Sequence, residues 1–299
     1  MLLLTLIQDD SKEYIIDEIR NARNYFKLKN ATVGISESLE NNLHIIKVYC
    51  DDENFNENFQ KMFNLYIGNV LFKVVIKEFC KKNVSKYLSD NFYFLRGEDI
   101  KEVKNMIIDV FENEDNKIDD NMIYYMNRKN EIIKKIILCL EENNEVNIKG
   151  FLTFRMKEMT PDLESIIDKI VEKFMVEKEY NEFIKLLKYF VDVQESKINE
   201  VNILIDKDGN YVVRDEFEND ILSNLVNELY DSRISSKVSS EDLIISGLIT
   251  SAPKKIVIHC VENSRNKELI ETIKNVFGER VQFCNNCSRC IEYKNNIKI

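Results

Sequence analysis

Apolar residues recur along this chain at two spacings, alternate positions and steps of three and four, and the two spacings sort it into strands and helices. The apolar opening Met1–Ile7, closed by Gln8, Asp9 and Asp10, reads as a buried strand. Ser11 to about Lys27 carries Tyr14, Ile15, Ile19 and Tyr25 on one helical face. Ala31–Ser36 and His44–Cys50 are strand-like and are joined by the polar Glu40, Asn41 and Asn42. From about Asn56 a long helix lines up Phe63, Val70, Val74 and Phe79. The order β-α-β-β-α makes residues 1–90 a small α/β module and permits a ferredoxin-like half-fold.

Residues 95–198 read as a central helical region. Glu98–Phe111 and Asn121–Leu140 repeat apolar residues three and four apart, and a short helix includes Phe151, Leu152 and Phe154. The strongest helix signal starts at Thr160-Pro161. Threonine suits an N-cap, and proline suits the first helical position, where its missing N–H costs nothing. Leu163, Ile166, Ile167, Ile170, Val171 and Phe174 then share a face, followed by Phe183, Leu186, Leu187 and Phe190. The charged stretch Glu177-Lys178-Glu179-Tyr180 between the two groups is a place for this helix to bend or divide.

Residues 199–299 form a C-terminal α/β module. Val201–Ile205 and Tyr211–Arg214 are strands whose short connection contains Asp208-Gly209, a hairpin signal. A helix is expected over Phe217–Tyr230 and a serine-rich loop over Ser232–Ser240. Ser239 with Asp242 resembles a capping box opening the helix Leu243–Thr250, which Pro253 ends. Strand Ile256–His259, helix Lys267–Phe277 with Gly278 as its stop, and strand Val281–Phe283 follow. A strand–helix–strand unit usually pairs its strands in parallel. The fold class is therefore mixed α/β and predominantly helical, ending in a strand–helix–strand unit and a cysteine motif.

Composition narrows this further. Hydrophobic residues make up 44% of 299 and charged residues 31%, a balance that buries a core and argues against global disorder. Seven glycines and two prolines are too few for a sandwich or propeller of many short strands. A net charge of −10 repels nucleic acid and anionic lipid, so protein partners are the default. Residues 251–299 depart from this, with nine Lys and Arg against five Asp and Glu. Lys254, Lys255, Arg280 and Arg289 could there flank a module that touches nucleic acid; the competing reading is that they neutralise nearby thiolates. No apolar run reaches the ~18–20 residues of a membrane span, and the opening strand lacks the basic flank of a signal peptide. A cytoplasmic protein is expected, with its seven cysteines reduced.

The residues with chemistry are Cys284, Cys287 and Cys290. Two-residue gaps let successive thiolates turn toward one centre, which is why this spacing recurs at zinc and iron–sulfur sites. If the strands at 256–260 and 281–283 pair in parallel, their ends lie about 5 Å apart, which brings His259 or Cys260 beside Cys284 as fourth ligand. A tetrahedral, structural zinc site suits this set best. An iron–sulfur cluster suits it less well, because the fourth cysteine of the usual ferredoxin run is missing. A redox-active or metal-free thiol group is the third reading, although Cys287 and Cys290 are not expected to open a helix as thioredoxin-type pairs do. His44 stands apart from any cysteine motif, and Cys50, Cys80 and Cys139 fall on apolar faces as core residues. Asp206, Asp208 and Asn210 fit a hairpin turn better than a calcium loop, which needs further ligands that are absent. Phosphate loops, dinucleotide fingerprints and nucleophile elbows are absent, so the sequence gives no positive support to an enzyme.

Four stretches, Gly150–Lys157, Glu177–Val191, Glu241–Ile256 and Arg280–Cys290, together resemble the YtxC-like family of sporulation-associated proteins. The resemblance is best from about residue 150 onward. It implies a cytoplasmic protein tied to endospore formation and implies no particular reaction.

Overall fold

The structure is a computed structural model that describes residues 1–9, 13–52, 55–112, 121–222, 239–284 and 287–295. Among these lie ten helices and two four-stranded sheets, the predominantly helical α/β mixture that the sequence pattern predicts. The chain divides into two compact units, Met1–Met175 and Val176–Ile299.

In the first unit, β1 (Leu2–Asp9) runs antiparallel to β3 (Leu43–Cys50), and β3 runs antiparallel to β2 (Val33–Glu40). Asn41 and Asn42 join β2 to β3 with both φ angles positive, which side-chain amides tolerate and which matches the twist of a two-residue hairpin. β4 (Glu145–Asn147) adds a fourth strand parallel to β1; three residues are too few for a readable period in sequence. Between them come α1 (Glu13–Lys27), α2 (Glu57–Lys82), α3 (Val84–Asn91), α4 (Gly97–Glu112) and α5 (Met122–Glu142). The Asn56 side chain caps α2 by accepting the Phe59 N–H. Phe26, Phe63, Ile67, Leu71 and Phe79 are fully buried in one core with Leu4, Leu6 and Ile46 of the sheet. Cys50 belongs to that core, and Cys80 and Cys139 pack against it.

A short α6 (Ile148–Phe154) leads into α7 (Met156–Val193), which carries the division between the units. α7 differs from the expected helix at its start. It begins at Met156, so Pro161 lies inside it, and the Thr160 hydroxyl donates back to the Met156 carbonyl instead of capping. Pro161 removes a single bond near the N-terminus, and Lys157, whose carbonyl would have accepted it, is an exposed residue, so water can satisfy that carbonyl and the cost falls below that of a mid-helix proline. The charged stretch at 177–180 does not divide the helix.

In the second unit, β5 (Glu200–Ile205) pairs antiparallel with β6 (Tyr211–Asp215) and parallel with β7 (Lys255–His259); β7 pairs parallel with β8 (Val281–Phe283). α8 (Ser240–Ser251), capped by Ser239, and α9 (Lys267–Phe277) are the crossovers to β7 and β8. Alternation on the strands sends Val201, Ile203, Ile205, Ile256 and Ile258 into a core with Leu248, Ile273 and Phe277 of these helices. The opposite face carries Glu200, Asn202, Lys255 and His259. Most of the helix expected over Phe217–Tyr230, and most of the loop expected over Ser232–Ser240, lie outside the described residues. Where the former is described its start is later than expected: Phe217 sits in a turn, because the Asp215 carboxylate accepts the N–H groups of Phe217 and Asn219, and Ile221 and Leu222 are helical.

Candidate metal centre

The parallel register fixes the site. Ile258 is the last residue of β7 to pair with β8, opposite Phe283, and the Cys284 N–H extends the ladder by donating to the Ile258 carbonyl at 2.9 Å. His259 and Cys284 thus leave the two strand ends side by side. The chain then turns into α10 (Ser288–Asn295), which brings Cys290 back over them; Cys290 is 1% and His259 3% exposed.

The donor atoms converge. The sulfur of Cys290 lies 3.7 Å from that of Cys284 and 3.8 Å from that of Cys287. His259 Nδ1 lies 3.5 Å from the Cys287 sulfur and 3.4 Å from the Cys290 sulfur. All four donor atoms fall within 4.8 Å of one another, so His259, Cys284, Cys287 and Cys290 could hold a metal ion. Cys260, the other expected fourth ligand, is buried next to His259 but is not one of the four. It takes a left-handed backbone (φ 55°) just past the end of β7, and its thiol adjoins that of Cys290 without joining the group of four.

α10 corrects one expectation, since Cys287 stands immediately before it and the Cys287–Cys290 pair does open a helix. The Cys287 carbonyl accepts the Ile291 N–H, as a helix start requires. Two-residue gaps are compatible with a strand end and with a first helical turn alike, and eight residues beside polar Asn285 and Asn286 show little apolar period. Burial works to raise the Cys287 thiol, but the N–H groups of Cys290 and Arg289 and the neighbouring thiols outweigh it and hold Cys287 below the ordinary cysteine range. Burial foremost pushes Cys284 up to about 11 and also raises Cys290. Burial, with the Arg289 charge second, holds His259 below its ordinary value, which favours the neutral imidazole a metal needs.

Sequence reasoning did not find the shell behind the histidine. His259 Nε2 lies 3.1 Å from the Asn202 side-chain oxygen, and Asn202 is 2% exposed. The Asn202 amide donates to Glu200, which accepts from Lys255 at 2.8 Å. Of the basic residues singled out in sequence, Lys255 is thus paired with Glu200, Arg280 binds Asp192 and the Pro253 carbonyl, and Arg289 pairs with Glu218 at 3.0 Å. His44 lies in the other unit, 3.9 Å from Glu37. Asp206 accepts from both nitrogens of Asn210 and closes the hairpin turn.

Comparison with known proteins gives a family and one relative. The sequence profile of the YtxC-like family matches residues 65–282, a span that starts well before residue 150 and includes Asn202 and His259. Over 161 residues the chain is 27% identical to the Bacillus subtilis (strain 168) protein named Uncharacterized protein YtxC, covering 52% of this chain and 54% of that protein. The chain therefore spans about half the length of the curated relative it matches. No solved structure matches. No helix among the described residues is long and apolar enough to cross a membrane.

Proposed function

The chain belongs to the YtxC-like family, and from that premise we propose that it is a non-enzymatic structural or regulatory protein whose C-terminal unit is held together by one zinc ion on His259, Cys284, Cys287 and Cys290. The single observation that carries this is the set of donor spacings. Tetrahedral zinc, with Zn–S of ~2.3 Å and Zn–N of ~2.0–2.1 Å, requires sulfur–sulfur edges of about 3.8 Å and sulfur–nitrogen edges of about 3.5 Å. Four of the six edges, the sulfur pairs at 3.7 and 3.8 Å and the sulfur–nitrogen pairs at 3.5 and 3.4 Å, fit those values, and the two remaining edges from Cys284 lie within 4.8 Å.

Four protein ligands complete a tetrahedron and leave no open position for a water or substrate, the arrangement of structural sites. An iron–sulfur cluster draws less support, because four donors so close together suit one ion rather than a cluster with its own sulfide core. The nucleic-acid alternative also draws less support, since Lys255, Arg280 and Arg289 are engaged in ion pairs within the chain. The resemblance to sporulation-associated proteins supports a cytoplasmic role in endospore formation, acting through protein partners.

A melting experiment tests the structural role. Chelation at neutral pH lowers the melting temperature of the wild-type chain and leaves Cys287→Ser unmoved; identical behaviour of the two proteins would contradict the proposal. A redox thiol pair is the second reading, favoured by Cys287 opening a helix with a lowered pKa. It requires Cys287 and Cys290 to react with alkylating agents in the protein as purified, whereas zinc-bound thiolates are protected until a chelator is added.

A further inference from the structure

On the sheet face opposite the core, a run of hydrogen bonds leads from Lys255 to the proposed metal ligand. The β5–β7 register sets Glu200 opposite Lys255 and Leu204 opposite His259, which leaves Asn202 one diagonal step from the imidazole. Lys255 donates to one Glu200 oxygen at 2.8 Å, and the Asn202 amide donates to the other at 3.3 Å. The Asn202 oxygen lies 3.1 Å from His259 Nε2. A buried asparagine among strand residues is costly unless its amide is bonded, and here both of its ends are.

We propose that Asn202, held by Glu200 and Lys255, is the positioning residue that delivers the Nδ1 lone pair of His259 to the three cysteines. The inference rests on the zinc reading for its purpose but not for its geometry. The direction of the run is set at the lysine. An ammonium can only donate, so the Glu200 carboxylate beside it is ionised and can only accept. The Asn202 amide must then present N–H to Glu200 and its oxygen to the imidazole. Facing an acceptor, Nε2 must carry the proton, which leaves Nδ1 bare toward the sulfurs of Cys287 and Cys290. Metal-ligating histidines are commonly fixed in this way through the nitrogen that does not bind the metal, and loss of such a partner lowers metal affinity 10–100-fold. The arrangement makes β5 part of the site although it supplies no ligand.

The chain has only two histidines, so nitrogen NMR of the imidazoles, with His44→Gln as the assignment control, reads the tautomer directly. In the metal-free full chain we expect His259 to carry its proton on Nε2, in slow exchange with water. Asn202→Leu should bind zinc 10–100-fold more weakly in competition with a chromophoric chelator. The paired exchange Glu200→Lys with Lys255→Glu keeps a salt bridge but reverses the run. It should turn the Asn202 amide over, move the imidazole proton to Nδ1 and weaken zinc binding as well, effects that a purely structural pair would not produce. A wild-type proton on Nδ1, or zinc affinity in Asn202→Leu equal to wild type, overturns the proposal. A wild-type chain with the Nε2 proton protected but no affinity for zinc would end the zinc reading while supporting the positioning role.

Discussion

At the residue scale the account turns on protonation. In the metal-free chain His259 has a folded pKa depressed below its ordinary 6.5, so its neutral form contributes stability above that value. That contribution is lost as pH falls from about 6.5 through the depressed folded value. Cys284 acts at the other end. Its pKa is raised from 9.0 to about 11, so the buried neutral thiol stabilises below 9 and ceases to do so as pH rises toward 11. Urea titrations of the metal-free protein across this range should show both flanks, and His259→Gln should remove the acid one. With zinc present the acid flank should steepen, because thiolates and imidazole must shed protons to bind the ion. Gly209 is a residue-scale test of the hairpin. Its φ is 83°, and an added Cβ would meet the Arg265 side chain at 3.0 Å. Gly209→Ala should cost about 1–2 kcal/mol in the same titration, from the left-handed backbone alone.

At the scale of elements, the capping and proline positions give two further outcomes. Asn56→Ala removes the cap of α2 and should destabilise by about 1 kcal/mol. Pro161→Ala should stabilise by roughly 1–2 kcal/mol, since alanine restores the bond to Lys157 and suits a helix interior far better than proline. Thermal and denaturant melts measure both. The same positions show what could be read in advance. Ser239 and Lys267–Phe277 were legible because cap residues and apolar periods act locally, and Val281–Phe283 because Gly278 stops the helix just before it. The convergence of the cysteines was legible because a parallel strand pair has a fixed spacing. Pro161 misleads because proline usually marks the first helical position, whereas α7 starts five residues earlier and carries Pro161 in its second turn. β4 and α10 are too short to carry a period, and Phe217 is captured by an aspartate two residues away. Asn202 could not be found at all: only the register between β5 and β7, which no local pattern encodes, places it beside His259.

At the scale of the whole molecule, the zinc account assigns the metal to one unit. The four donors, the Asn202 support and the ladder from β5 to β8 all lie within Val176–Ile299. Binding energy at a structural zinc site is folding energy for the elements it joins. Chelation should therefore strip hydrogen-exchange protection from β5, β7 and β8 and leave β1 to β4 as they were. Equal loss in both sheets would mean that the metal acts on the chain in some other way. The most direct test of the central claim is elemental analysis of the full chain purified under reducing conditions, beside Cys287→Ser. The account predicts one zinc ion per wild-type chain and a variant that loses it on dialysis. A wild-type chain free of metal, or one carrying iron in place of zinc, would contradict it.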